Sequence, residues 1–176
     1  MARHEPANWA RIIDDRIADT SNAAQREMLE TLKKRFMSAF ERDIDGFLST
    51  FAPDFVRITH VGGSAFSSDL DDIRALAEAG AFTWPELDRL MVDGNTIAVE
   101  GHFNVILADA ATCAAIGVAV DEPDAKHLLS AHAVLFLEFH DGVQARELAY
   151  AGTSPAVSRL ADDDILCALS MSPAAA

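Results

Sequence analysis

Val134-Leu135-Phe136-Leu137-Glu138-Phe139-His140-Asp141-Gly142 is the stretch on which the fold turns. In an extended chain Leu135, Leu137 and Phe139 share one face, and Val134, Phe136, Glu138 and His140 share the other. One apolar row opposite a mixed row predicts a sheet that is buried on one side. Asp141-Gly142 supplies the residues a tight hairpin turn needs. The strand from His127 to His140 should therefore fold back on another from Val143 to Tyr150. Upstream the pattern repeats. Leu87, Arg89 and Met91 alternate with Asp88, Leu90 and Val92, Asp93-Gly94-Asn95 makes a turn, and Thr96 to Ala108 reads as a long strand. Asp-Gly turns between long alternating segments predict an antiparallel sheet.

The N-terminal part has a different period. Trp9, Ile12, Ile13 and Ile17 predict a short amphipathic helix over 7–18, and Leu29, Leu32, Phe36 and Phe40 a stronger one over 23–42. Asp19-Thr20-Ser21-Asn22 breaks the first and offers caps for the second. Ile44, Phe47, Leu48 and Phe51 predict a short helix over 43–52, ended by Pro53. Phe55 to Val61 is rich in β-formers, and a short return strand over Ser64 to Phe66 would follow Gly62-Gly63. Another helix should start in Ser67-Ser68-Asp69-Leu70-Asp71-Asp72, where hydroxyls and carboxylates suit free amides and the positive end of a helix dipole. Residues 109–126 exceed a plain hairpin loop and would extend the strands or fold over a pocket mouth. A short helix over 156–169 is expected in the tail.

The chain has 176 residues, half of them apolar, and a formal charge of -14. That suits one domain with a sizeable core. So acidic a surface repels phosphate backbones and anionic lipid, which argues against nucleic-acid or membrane partners. Cys113 and Cys167 lie far apart with no C-x-x-C, which predicts a reducing cytoplasm and no zinc site. No signal core follows Met1, and no apolar run nears the roughly 20 residues of a membrane helix.

Asp45-Gly46-Phe47-Leu48-Ser49-Thr50-Phe51-Ala52-Pro53-Asp54-Phe55 resembles the passage from second helix to first strand in the nuclear transport factor 2-like superfamily. That superfamily includes ketosteroid isomerases and SnoaL-like polyketide cyclases. Val134 to Gly142 is similar to its C-terminal hairpin. The likeness spans about residues 23–152 and implies an α+β fold. A curved antiparallel sheet would pack against N-terminal helices as a cone-shaped barrel with a central pocket. Residues 1–22 would be an N-terminal extension, 23–152 the domain, and 153–176 a tail.

The resemblance puts the concave face and the helices around the pocket. Alternation then turns Ile97, Val99, Gly101, Phe103 and Val105 inward, and Ala98, Glu100, His102 and Asn104 outward. Leu129, Ala131, Ala133, Leu135, Leu137 and Phe139 face inward on the next strand. His132 could lie beside His102 outside, but no further ligands make a metal site there. On the last strand Ala145, Glu147, Ala149 and Ala151 face inward, and Gln144, Arg146, Leu148 and Tyr150 outward. Glu147 among alanines is a candidate acid-base whose pKa burial would raise. The alternative is a salt bridge to Arg57 or Arg89.

Ketosteroid isomerases resemble this chain but use an aspartate base, a tyrosine and a second aspartate. Thr59, Tyr150 alone and about Leu135 stand for these here, which counts against that activity. The two carboxylates and intervening arginine of epoxide hydrolases with this fold cannot be assembled either. A polyketide-cyclase-like reaction needs one inward acid or base. Glu147 is the catalytic candidate, with His60 as the alternative base unless alternation turns it outward. Arg57, Thr59, Trp84, Val99, Phe103 and Leu135 would contact substrate, with Trp84 either capping the cavity or packing in the core. The implied function is binding of a small hydrophobic molecule, with cofactor-free and metal-free proton transfer. The alternative is a non-catalytic ligand-binding or scaffold module. In either case, a homodimer would form through the convex face.

Overall fold

The computed structural model describes residues 8–61, 63–78, 82–107, 120, 122, 125–152 and 156–159. Helices α1 (Asn8–Asp19), α2 (Ala23–Glu41) and α3 (Ile44–Leu48) lead into strands β1 (Phe51–Val61) and β2 (Ser64–Asp69). Helix α4 (Leu70–Glu78) follows, then strands β3 (Phe82–Asp93), β4 (Thr96–Leu107), β5 (His127–His140), β6 (Val143–Ala151) and β7 (Ala156–Arg159). The sheet runs β2-β1-β6-β5-β4-β3, with β7 also paired to β5. Neighbours are antiparallel except β1 and β6, which run parallel. The α+β class is as the sequence indicated: N-terminal helices and a large, curved, unclosed sheet.

Local chemistry sets the joints. Asn22 Oδ1 accepts from the amides of Ala24 and Gln25 and caps α2. Asp69 Oδ1 does the same for α4 through Asp71 and Asp72. Asp141 and Gly142 have φ of 50° and 77°, the positive values a two-residue hairpin turn demands. Thr31 Oγ1 donates to Gly142 O at 2.7 Å, which ties the middle of α2 to that turn.

The main core lies between α1, α2 and one face of the sheet. Trp9 and Ile13 of α1 join Leu29, Leu32 and Phe36 of α2 against Ile97, Val99, Leu135 and Leu137. Trp9 meets Phe36 edge-on at 5.7 Å. Each large side chain so buried contributes about 1.5–3 kcal/mol relative to exposure. Asn8 adds two bonds at the start of α1. Its side chain donates to Leu87 O at 2.9 Å and accepts from Leu87 N at 3.0 Å, occupying backbone groups on the edge strand β3. A smaller cluster of Leu48, Phe51, Phe55 and Ile73 closes the α3–β1–α4 corner.

Gly101 sits under the irregularity between Leu87 and Arg89 in β3. A Cβ there would lie 2.1 Å from Glu86 O, so the two backbones approach in a way only glycine permits.

Three local expectations need correction. The helix predicted over 43–52 stops at Leu48, and β1 begins at Phe51. Thr50 O already accepts from Gln144 N at 2.9 Å, so sheet pairing claims the segment before Pro53. A register shift between Phe51 and Val56 accommodates the proline. The predicted tail helix is a strand over its first residues, where Ala156–Arg159 pairs with His127–Ser130. It takes the place beside β5 beyond the end of β6. The rest of that segment, most of 109–126, Cys113 and Cys167 lie outside the described residues. Lastly, the outward row of β4 is not open throughout. Asn104 is buried and donates to Glu86 Oε1 at 3.1 Å, and Ile106 of the same row packs with Phe40.

Candidate functional site

Glu147 stands on β6 directly beside Arg57 of β1 in the parallel register. Its side chain is 3% exposed. Arg35 reaches it from α2, with Nη2 2.9 Å from Oε2, and Arg57 Nε lies 2.8 Å from Oε1. The Arg57 contact is ionic. Its N–H is not aligned for a hydrogen bond. Gln144 completes the group: its Oε1 accepts from Arg35 Nη1 at 2.6 Å and its Nε2 donates to Glu147 Oε2 at 3.1 Å. The Arg35 guanidinium also rests over the Phe51 ring, 5.1 Å from its centroid.

The electrostatics reverse the expectation of a raised acid. Burial alone pushes the Glu147 carboxyl up. The charges of Arg35 and Arg57 and the bonds from Gln144 and Arg35 outweigh it, and hold the pKa at about 2. Burial lowers the Arg35 pKa, an effect that Glu147 opposes and Arg57 reinforces. Of the two salt-bridge partners the sequence offered, Arg57 is the one found. Arg89 lies 3.6 Å from Glu100 instead.

Two members of this group were invisible to strand alternation. Gln144 should face outward, but the register shifts between Glu138 and Phe139. This bulge re-aims Gln144 into the core, where it is 1% exposed. Arg35 closes a run of three basic residues, Lys33-Lys34-Arg35. Its signal was spacing: Met28, Leu32 and Arg35 fall at i, i+4 and i+7 on the buried stripe of α2.

The remaining candidates divide into three places. Thr59 lies two residues beyond Arg57 on the same face, beside Ala149. Val99 and Leu135 are buried in the packed core, with Phe103 half-buried at its margin. Trp84 packs with Phe40, Ile106 and Leu128 in a separate cluster. His60 points to the opposite face and stacks on Tyr150 at 4.8 Å, with 11° between the rings, so it does not join Glu147. Around Thr59 the concave face is paved with Ala131, Ala133, Ala149 and Ala151, of which Ala131 and Ala151 are half-exposed. No group of three metal-ligating side chains exists among the described residues. Among them, too, no helix is long and apolar enough to cross a membrane.

No protein-family model matches the sequence, and no curated protein does. Solved structures do. A candidate SnoaL-like polyketide cyclase from Jannaschia sp. CCS1 aligns over 88% of this chain and 97% of its own, with 14% identity and a TM-score of 0.54. The chain has the nuclear transport factor 2-like fold. AclR, a candidate hydroxylase from Streptomyces galilaeus, shares this architecture at 18% identity and a TM-score of 0.53, over 85% of this chain and 88% of that one. So does an epoxide hydrolase from M. tuberculosis, at 14% identity and 0.51 over 86% and 95%. At these identities the likeness establishes architecture, and activity must be argued from the site. On this scaffold the present chain sets one carboxylate between two guanidiniums.

Proposed function

We propose that the chain is a small-molecule-binding module that works as a homodimer, and that Glu147 is a structural ion rather than its catalytic acid. The observation that carries the binding reading is the strip of small side chains on the concave face. Thr59, Ala131, Ala133, Ala149 and Ala151 share that face next to Arg57. A small apolar molecule would rest on Thr59, Ala131 and Ala151, which are partly exposed, with Phe103 at the side and the core residues Ala133 and Ala149 beneath.

Proton transfer through Glu147 is disfavoured. An acid-base group works best with a pKa near the operating pH, and a carboxyl held at about 2 stays ionised and weakly basic at neutrality. The SnoaL-like neighbours support the scaffold alone.

The homodimer rests on a separate observation. Phe136 and Tyr150 are 39% and 47% exposed. Tyr150 links Phe136 and His60 in one aromatic row across the convex face. Alongside it Arg146 pairs in register with Glu138, and Arg89 with Glu100. In a chain of charge -14 this mixed patch is where a second copy meets least repulsion. Cytoplasmic residence is part of the same reading and rests on the sparse cysteines.

Nile red fluorescence tests the binding role on the full chain. Wild type should enhance the dye's emission saturably, and Ala151→Leu and Ala131→Leu, which fill the strip, should weaken it severalfold. Absent enhancement in wild type, or equal enhancement in all three, would refute the reading.

A further inference from the structure

The Arg35–Glu147–Arg57 group holds two cations and one anion. No second carboxylate lies within ion-pair distance of either guanidinium among the described residues. A surplus positive charge is thus fixed beside the concave strip, in a chain that is otherwise strongly acidic. The two arginines differ in how they spend their donors. Arg35 is 7% exposed at its side chain and uses both Nη atoms, one on Gln144 and one on Glu147. Arg57 is 22% exposed, meets Glu147 at 2.8 Å through Nε, and has no hydrogen bond from either Nη to a described residue.

The free end of Arg57 has the geometry of a receptor. With Nε on Glu147, no described residue bonds to the edge formed by the two Nη groups, and that edge matches the two oxygens of a carboxylate. Glu147 and Arg35 act as positioning residues: they fix the base of the Arg57 side chain without occupying its outer edge. Thr59 adds a hydroxyl on the same face that bonds to no described residue, roughly 7 Å further along the strand. Among the described residues, Phe66 of β2 and Ala149 of β6 flank it, and Val61, Ala151 and Ala133 follow on the same face. An anion-binding end is therefore followed by an apolar floor.

We infer that the ligand of the concave face is a small apolar molecule carrying a carboxylate, anchored on the outer edge of Arg57 with Thr59 beside it. This rests on the binding reading above and narrows it to one ligand class. A neutral analogue leaves the surplus charge uncompensated, and an amine is repelled by it. The net charge of the whole chain opposes an anion at long range, but salt screens that term beyond about 8 Å, whereas the contact at Arg57 is short and partly desolvated.

The test compares octanoate, 1-octanol and octylamine by isothermal titration on the full chain at neutral pH. Octanoate should bind roughly tenfold tighter than 1-octanol, and octylamine more weakly than either. In Arg57→Gln the octanoate-to-octanol ratio should fall towards one, and Arg57→Lys, which keeps the charge but loses the fork, should lie between. Circular dichroism checks that both variants fold; if they do not, the wild-type ratio decides alone. Equal affinities for octanoate and octanol in wild type would overturn the carboxylate assignment and leave the apolar site standing. Failure of all three to bind would overturn both.

Discussion

Replacing Glu147 by glutamine keeps the shape of the side chain and removes the only carboxylate facing Arg35 and Arg57 among the described residues. Arg35 would then be a buried guanidinium without a counter-charge, and Arg57 a half-buried one. Leaving a buried charge unpaired costs about 3–5 kcal/mol. The lowered Glu147 pKa leads to a similar figure from the same contacts. Its pKa falls from an ordinary 4.5 to about 2 in the folded chain. At about 1.4 kcal/mol per pH unit, that difference is worth about 3 kcal/mol. The sign follows from the direction. The folded value lies below the unfolded one, so the stabilisation is complete above pH 4.5 and is lost as pH falls towards 2.

Urea unfolding of wild type and Glu147→Gln at neutral pH should therefore differ by about 3 kcal/mol or more, and the gap should narrow steadily as the buffer is taken below pH 4.5. Glu147→Leu combined with Arg35→Met should recover much of the loss, since apolar packing can replace a buried ion pair while Arg57 reaches solvent. A neutral-pH difference under about 1 kcal/mol, the range of an exposed pair, would refute the buried strut. A gap that does not change with pH would refute the assignment of its charge.

Gly101→Ala should destabilise by about 1–3 kcal/mol in the same assay, because the new methyl would meet Glu86 O at 2.1 Å; an unchanged midpoint would mean that the β3–β4 contact is looser than this. Asn8→Ala removes both side-chain bonds to Leu87 and should cost about 1–3 kcal/mol, read as a lower urea midpoint. Light scattering should give wild type twice its 19.0 kDa chain mass, and Phe136→Asp should give the monomer; a monomeric wild type at micromolar concentration would rule out pairing by the convex face.

Alternation and helical spacing determined most of the architecture from the sequence alone. The Asp141-Gly142 turn, the apolar rows of β4 and β5 and the stripe of α2 each follow from a period that a local backbone imposes on its own side chains. The same rule turned Glu147 inward and named Arg57 as one of two possible partners. Only the tertiary structure decided what Glu147 became. A bulge at Ala145 swung Gln144 into the core, α2 delivered Arg35 from more than a hundred residues away, and β1 aligned Arg57 in parallel. A pKa depends on every charge within a few ångströms, and sequence periodicity gives a side chain's direction but not what it meets. The small residues beside the cluster were legible as letters, whereas the floor they form needed β1, β5 and β6 in register.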